Sequence, residues 1–276
     1  SSGGADGGED GANDASSCPV FEAPVKRGIV QSAALTEASG LVASARNDGV
    51  LFAHNDSGDT ARLFALRASD AVLLGIVDVE GASATDWEAI AHGPAAGGPG
   101  LYIGDIGDNA AARPKITVYV VPEPVLPTTK VTVERAIDLT WEDGPRDTEA
   151  LFVDPADGTI GVVTKTVGVS EVYVAEGGVL RKKGAVDFGA PGKIRLVTDA
   201  SVTRAGDAIL LRNYGGADLW RRRPGEPLWR ALLSPPCPIP VATEPQGEAI
   251  AFSLDGRGYF TISENVSQPL WFVAPR

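Results

Sequence analysis

The sequence predicts an all-β chain folded as a five-bladed β-propeller, on three observations. A polar–small–apolar strand opening recurs five times at nearly constant spacing. Each opening leads into a Gly/Asp/Asn turn, a second strand, and a third strand that carries an aromatic residue. The last unit is one strand short, and a strand-like run near the N-terminus can supply it. Self-similarity at this period marks repeated supersecondary units that stack to bury a common core.

Taken in order, the openings are Ser39-Gly40-Leu41-Val42-Ala43, Glu88-Ala89-Ile90-Ala91, Glu149-Ala150-Leu151-Phe152-Val153, Asp199-Ala200-Ser201-Val202 and Glu248-Ala249-Ile250-Ala251-Phe252. Their leading polar residues are 49, 61, 50 and 49 residues apart. The turns that follow are Asn47-Asp48-Gly49, Gly97-Gly98-Pro99-Gly100, Ala156-Asp157-Gly158, Ala205-Gly206-Asp207 and Leu254-Asp255-Gly256. Such residues tolerate the positive φ that tight hairpins require. Second strands are expected at Val50–His54, Leu101–Gly104, Ile160–Lys165, Ala208–Arg212 and Gly258–Ser263. Third strands are marked by Phe64, Tyr119, Tyr173, Trp220 and Trp271. Fourth strands fall around Leu73–Val79, Val131–Trp141, Leu180–Phe188 and Trp229–Leu233, and Val25–Ser32 is left to complete the fifth unit. Pairing an N-terminal strand with the last blade leaves no sheet edge open, which is how propellers close. A β-sandwich explains the strands but not the repeat, and five units use the chain more fully than six.

Composition bounds the rest. A hydrophobic fraction of 43% supports a substantial core, and Lys+Arg 24 against Asp+Glu 36 gives a net charge of −12. Such a chain repels phosphate backbones, which argues against a nucleic-acid partner. No run reaches the length of about 18 apolar residues that a membrane span needs. Residues 1–17, a Gly/Ala/Asp/Ser tract, read as a flexible acidic tether ahead of one domain over 18–276. The tract looks like the spacer behind a lipoprotein's anchor or a cleaved signal peptide, which implies an extracytoplasmic location. A cloning boundary or a cytosolic tail is the alternative. In an exported protein the two cysteines, Cys18 and Cys237, are a disulfide pair; two unpaired thiols are the other reading. With only His54 and His92 available and no CxxC, a Cys/His zinc site is excluded.

The chemistry is expected where the inner strands begin. There Glu88, Glu149, Asp199 and Glu248 would ring the channel mouth with Ser39. Like charges so placed call for a cation or for protonation. The loops after the second strands, His54–Asp59, Gly104–Asn109, Lys165-Thr166, Arg212-Asn213-Tyr214 and Glu264-Asn265, face the same way and add Asn55, Asp56, Asp105, Asn109, Lys165, Arg212 and Asn213. Glu88, Glu149, Asp199, Glu248, Asp56 and Asp105 are therefore candidate ligands for a hard cation, Ca²⁺ above all, whose ligands are oxygens. Lys165, Arg212, Asn213, Asn55 and Asn109 are candidates for binding an anionic substrate. Glu88, Glu149, Lys165 and Arg212 are the candidate catalytic groups. Each of these residues could instead serve as scaffolding, tying neighbouring blades together.

The segments Asp86-Trp87-Glu88-Ala89-Ile90-Ala91, Asp147-Thr148-Glu149-Ala150-Leu151 and Gln246-Gly247-Glu248-Ala249-Ile250-Ala251 resemble the strand openings of bacterial secreted propellers of the phytase-like, lactonase-like and NHL-like kind. That resemblance implies a carboxylate-lined channel holding Ca²⁺ and, in the enzymes among them, hydrolysis of phosphoesters or lactones. The chain departs from it in having five repeats rather than six. Three functions follow as expectations for a monomer. One is a Ca²⁺-dependent hydrolase of a small anionic ester. Another is a non-catalytic envelope propeller that binds a protein or glycan. The third is a glycoside hydrolase, which needs a carboxyl pair about 5 to 9.5 Å apart.

Overall fold

The computed structural model describes residues 18–189 and 195–276, so the expected tether at 1–17 lies outside the described residues. The chain enters through β1 (Val25–Ile29) and then builds antiparallel meanders. The first comprises β2 (Ala38–Ala43), β3 (Val50–Asn55), β4 (Arg62–Arg67) and β5 (Leu73–Glu80). The second begins with β6 (Trp87–Ala95), β7 (Gly98–Asp105) and β8 (Lys115–Pro122). The short β9 (Lys130–Thr132) then runs back to pair in parallel with β5, and β10 (Arg135–Trp141) completes the second meander. The third is β11 (Thr148–Val153), β12 (Ile160–Thr164), β13 (Glu171–Glu176) and β14 (Val179–Ala185). A fourth joins β15 (Val197–Val202), β16 (Ala208–Asn213), β17 (Gly216–Arg221) and β18 (Cys237–Ile239). The last three strands, β19 (Gly247–Phe252), β20 (Tyr259–Ser263) and β21 (Pro269–Val273), take β1 as their fourth, paired antiparallel to β21.

Hydrogen bonding unites the second and third meanders into one eight-stranded sheet, because β10 and β14 pair in parallel at Thr140–Val179 and Trp141–Leu180. The described strands thus form four sheets. The inner strands explain the shape. Every residue of β2, β11 and β19 is buried, whereas the outer β5 and β10 expose alternate residues. Strands covered on both faces read as continuous apolar runs, and strands with one wet face alternate. β2 packs on β6, β6 on β11, β11 on β15, β15 on β19 and β19 on β2, so the inner strands close a ring. The apolar core is correspondingly divided into clusters lying between successive meanders, such as Leu41, Phe64, Ala249 and Ile262 between the last and the first.

Several expectations need correction. Trp229–Leu233 is not a strand but lies within a 3₁₀ helix, Leu228–Leu233, that buries Leu228, Ala231 and Leu232. Pro227 precedes the helix and Pro235 and Pro236 follow it, which bounds the turn on both sides, while Pro238 is tolerated in the next strand because that strand is the outer one of its sheet. The fourth strand forms later, at β18. The run Val131–Trp141 is divided between two sheets, β9 going to the first meander and β10 to the second. Trp220 sits two positions further along its strand than its expected equivalents. Phe64, Tyr119 and Tyr173 face Ala53, Ile103 and Val162, whereas the corresponding residue Leu211 faces Asp218. Cys18 and Cys237 form a disulfide that fastens the N-terminal arm to β18.

Candidate functional site

Each inner strand carries a register shift at its second residue: between Ala38 and Gly40, Trp87 and Ala89, Thr148 and Ala150, Val197 and Asp199, and Gly247 and Ala249. The bulged residues are therefore Ser39, Glu88, Glu149, Thr198 and Glu248. A bulge leaves its extra residue outside the ladder and re-aims the side chain. The fourth position is Thr198, one residue before the expected Asp199. Its hydroxyl donates to the Glu248 carbonyl at 2.8 Å, just as the Ser39 hydroxyl donates to the Glu88 carbonyl at 3.1 Å.

A second tier comes from the residue following each second strand. In every meander its N–H donates to the carbonyl of the residue two before the bulge: Asp56 to Glu37, Ile106 to Asp86, Lys165 to Asp147, Tyr214 to Leu196 and Glu264 to Gln246. Three tiers thus bring Glu37, Asp56, Asp86, Glu88, Asp147, Glu149, Glu248 and Glu264 to one end of the inner strands, with Lys165 among them and paired to Glu149.

These groups perturb one another. Burial raises Glu88 well above the usual carboxylate range, and Glu149, Asp56 and Asp86 add to the effect. Glu149 is raised by burial against the pull of Lys165, with Glu248 and Asp147 pushing further in the same direction. Asp86 reaches about 6 through burial and then the Asp56 charge. Glu264 reaches about 7 through burial, Glu248 and Asp56. Glu248 is raised by burial, while Gln246 donates to its Oε1 at 3.0 Å. Lys165 forms an ion pair with Glu149 and donates to the Tyr214 hydroxyl at 3.0 Å, its ammonium 5.1 Å from that ring's centre.

Among the described residues, Asp56, Asp86 and Glu88 are the cluster with metal-ligand geometry, each offering a carboxylate oxygen within 4.8 Å of the others. Ligand distances of about 2.3–2.6 Å to Ca²⁺ place opposite oxygens about 5 Å apart, so the spacing fits a hard cation. The cluster is coupled by charge to the residues around it, Glu149 acting on Glu88 and Asp56 on Glu248.

Other expected site residues are engaged within the scaffold. Both oxygens of buried Asp199 are taken by backbone donors, Ala200 at 2.8 Å and Ile250 at 2.9 Å. Asp105 pairs with Arg113 at 2.8 Å and accepts from the N–H of Asp86. Asn55 accepts from the N–H groups of Thr36 and Glu37 and donates to the Ala34 carbonyl and to Asp59. Arg212 is buried, paired with Glu244 at 2.9 Å, and donates to the carbonyls of Asn213 and Gly216. The carboxamide oxygen of Asn213 accepts from the Gly215 N–H. Asn109 is exposed.

Sequence reasoning passed over Asp86 and Asp147 as site residues, and it put Tyr214 and Glu264 in the mouth loops without giving either a role. The signal was present in the Asp-x-Glu spacing of Asp86–Glu88 and Asp147–Glu149, which the repeat offered twice.

No protein-family model matches the chain, and no curated protein matches it in sequence. Solved structures do. Glutaminyl cyclase of Myxococcus xanthus superposes with a TM-score of 0.52 at 12% identity, over 92% of this chain and 96% of that one. The WD40 repeats of RRP9 give a TM-score of 0.47 at 10% identity, over 93% and 100% of the two chains. The likeness to the cyclase is one of fold, and with the closed ring of inner strands it makes this chain a β-propeller.

Proposed function

We propose that the protein is an extracytoplasmic five-bladed propeller whose acidic mouth binds Ca²⁺ through Asp56, Asp86 and Glu88, and that it hydrolyses a small anionic ester there. The convergence of those three carboxylates carries the reading. Unlike a surface acidic patch, they rise from consecutive meanders and are held in place by the bulge and by backbone hydrogen bonds. Five blades follow from taking the eight-stranded sheet as two meanders that happen to touch at β10 and β14. The disulfide supports an oxidising compartment, where such bonds persist.

A bound cation would supply charge to polarise a substrate oxygen. Lys165, steadied by Glu149 and Tyr214, can hold the substrate's anion beside it. Glu264, raised to about 7, can exchange a proton near neutral pH. A non-catalytic envelope propeller is the second reading. It is favoured by how many of the expected site residues, among them Arg212, Asp199, Asp105 and Asn55, already serve the scaffold.

Thermal unfolding in EDTA and in rising Ca²⁺ tests the cation. A ligand of the folded state alone raises the midpoint with concentration. The wild type should respond, and Glu88→Gln with Asp86→Asn should not. A wild type indifferent to Ca²⁺ would overturn the metal site. A calcium response without turnover of phosphomonoesters or lactones would leave the second reading.

A further inference from the structure

A separate site lies at the outer seam between the third and fourth meanders. There a pocket of about 420 Å³ is lined by Lys183 of β14, Arg221 at the end of β17, Arg223 and Glu226 in the turn beyond it, and Trp229 and Arg230 of the 3₁₀ helix. The Arg221-Arg222-Arg223 run reads in sequence as a solvated strand edge, but the structure divides it. Side chains alternate along an extended chain. Arg222 turns inward to pair with Asp154 at 3.0 Å and to donate to the Glu226 carbonyl. Arg221 and Arg223 line the pocket instead, and neither has a carboxylate partner among the described residues.

The other two cations are engaged. Lys183 pairs with Glu176 and lies 5.7 Å from the Trp229 ring centre, and Arg230 sits 3.8 Å from Glu226. Four cations thus face two carboxylates, on a chain whose net charge is −12. The net charge of the chain repels anions, and this concavity attracts them locally. The guanidinium fork matches the oxygens of a phosphate or sulfate in two-point geometry. A pocket of this volume, with an indole as one wall, fits a small ligand better than a flat polymer surface.

We propose that this pocket binds a phosphate- or sulfate-class oxyanion carried on a small ligand, with Arg221 and Arg223 holding the anion and Trp229 flanking its carrier. The site is independent of the cation reading at the mouth.

The test is isothermal titration of the whole chain in EDTA, so that the mouth carries no cation. The probes are inorganic phosphate, inorganic sulfate, glucose 6-phosphate and uncharged glucose. Phosphate or sulfate should bind, glucose 6-phosphate should bind more tightly than inorganic phosphate, and glucose should not bind. A response to one inorganic anion and not the other identifies the group. Arg221→Glu combined with Arg223→Glu should weaken binding at least about tenfold, a step of about 1.4 kcal/mol. Should that variant fail to fold, Arg223→Gln alone should weaken binding several-fold. The binding that depends on Arg221 and Arg223 should persist in Lys165→Met. The proposal is overturned if no anion binds, if glucose binds equally well, if the arginine variants retain full affinity, or if Lys165→Met abolishes binding and so assigns the anion to the mouth.

Discussion

Two ion pairs in neighbouring meanders look alike in sequence and behave differently in the fold. Lys165 and Arg212 both stand near the end of a second strand, and both face a glutamate. Arg212 lies opposite Asp199, inside the ladder. Lys165 comes after the last row of its hairpin, at the position that Tyr214 occupies in the fourth meander. The two cations are thus offset by two positions of the repeat, about 7 Å along a strand. That offset carries the lysine past the end of the ladder to the mouth and leaves the arginine in the seam between the fourth and fifth meanders. Gly247 makes room in that seam, for a Cβ there would stand only 1.7 Å from the Arg212 Nη2. The arginine pair is sealed, with side-chain exposures of 2% and 1%. The lysine side chain keeps 17% of its surface in water.

The difference in chemistry is as large as the difference in burial. A guanidinium cannot shed its proton, so Arg212 depends on Glu244 for its countercharge. Burial raises both glutamates, Glu149 and Glu244, towards their neutral forms. If Glu149 takes up a proton, the ammonium left behind still has water and the Tyr214 hydroxyl as partners. If Glu244 does the same, a permanent charge is left sealed among packed meanders. The lysine pair can therefore lose its carboxylate charge at small cost, and the arginine pair cannot.

The contrast can be broken most severely at Glu244. Glu244→Gln leaves a permanent charge buried without its partner, and should cost about 3–5 kcal/mol in urea unfolding. A loss below about 1 kcal/mol would mean that water reaches Arg212. Lys165→Met should cost less, about 1–2 kcal/mol by the same measurement, since Glu149 can neutralise itself. Equal losses for the two variants would erase the distinction.

The smallest effect is a pH slope contributed by the mouth. Asp86 and Glu264 are raised from 3.8 and 4.5 to about 6 and about 7, so the folded state holds their protons more tightly than the unfolded chain. Their contribution is complete below the ordinary carboxylate values and is lost as pH rises through about 6 and 7. In EDTA the melting midpoint should therefore fall as the pH is raised through about 6 and about 7, and Asp86→Asn with Glu264→Gln should flatten the decline. A midpoint that rises over this range would contradict the direction of both shifts.

The fourth meander shows why part of the site was hidden. The repeat placed Glu88, Glu149 and Glu248 correctly at the strand openings, because each begins an uninterrupted Glu-Ala-apolar run that occurs in the same register. In the fourth unit the same pattern selects Asp199, yet the bulge falls on Thr198. Hydroxyl and carboxylate look interchangeable as polar openings, and only the hydrogen bonds distinguish a residue outside the ladder from one that staples two inner strands. The same meander hid its helix, since Trp229–Leu233 is apolar enough for a strand and only the flanking prolines argue otherwise.

By itself the sequence determined four of the five inner-strand openings and the run Val25–Ser32 that holds the closing strand, since each depends on local periodicity, whereas it left Cys18 and Cys237 as either a pair or two free thiols until the fold joined them. Tertiary structure alone decided which polar residues reach the mouth. A one-residue bulge, invisible in composition, reverses the facing of a side chain, and the packing of neighbouring meanders determines whether a charge meets water or a buried counterion.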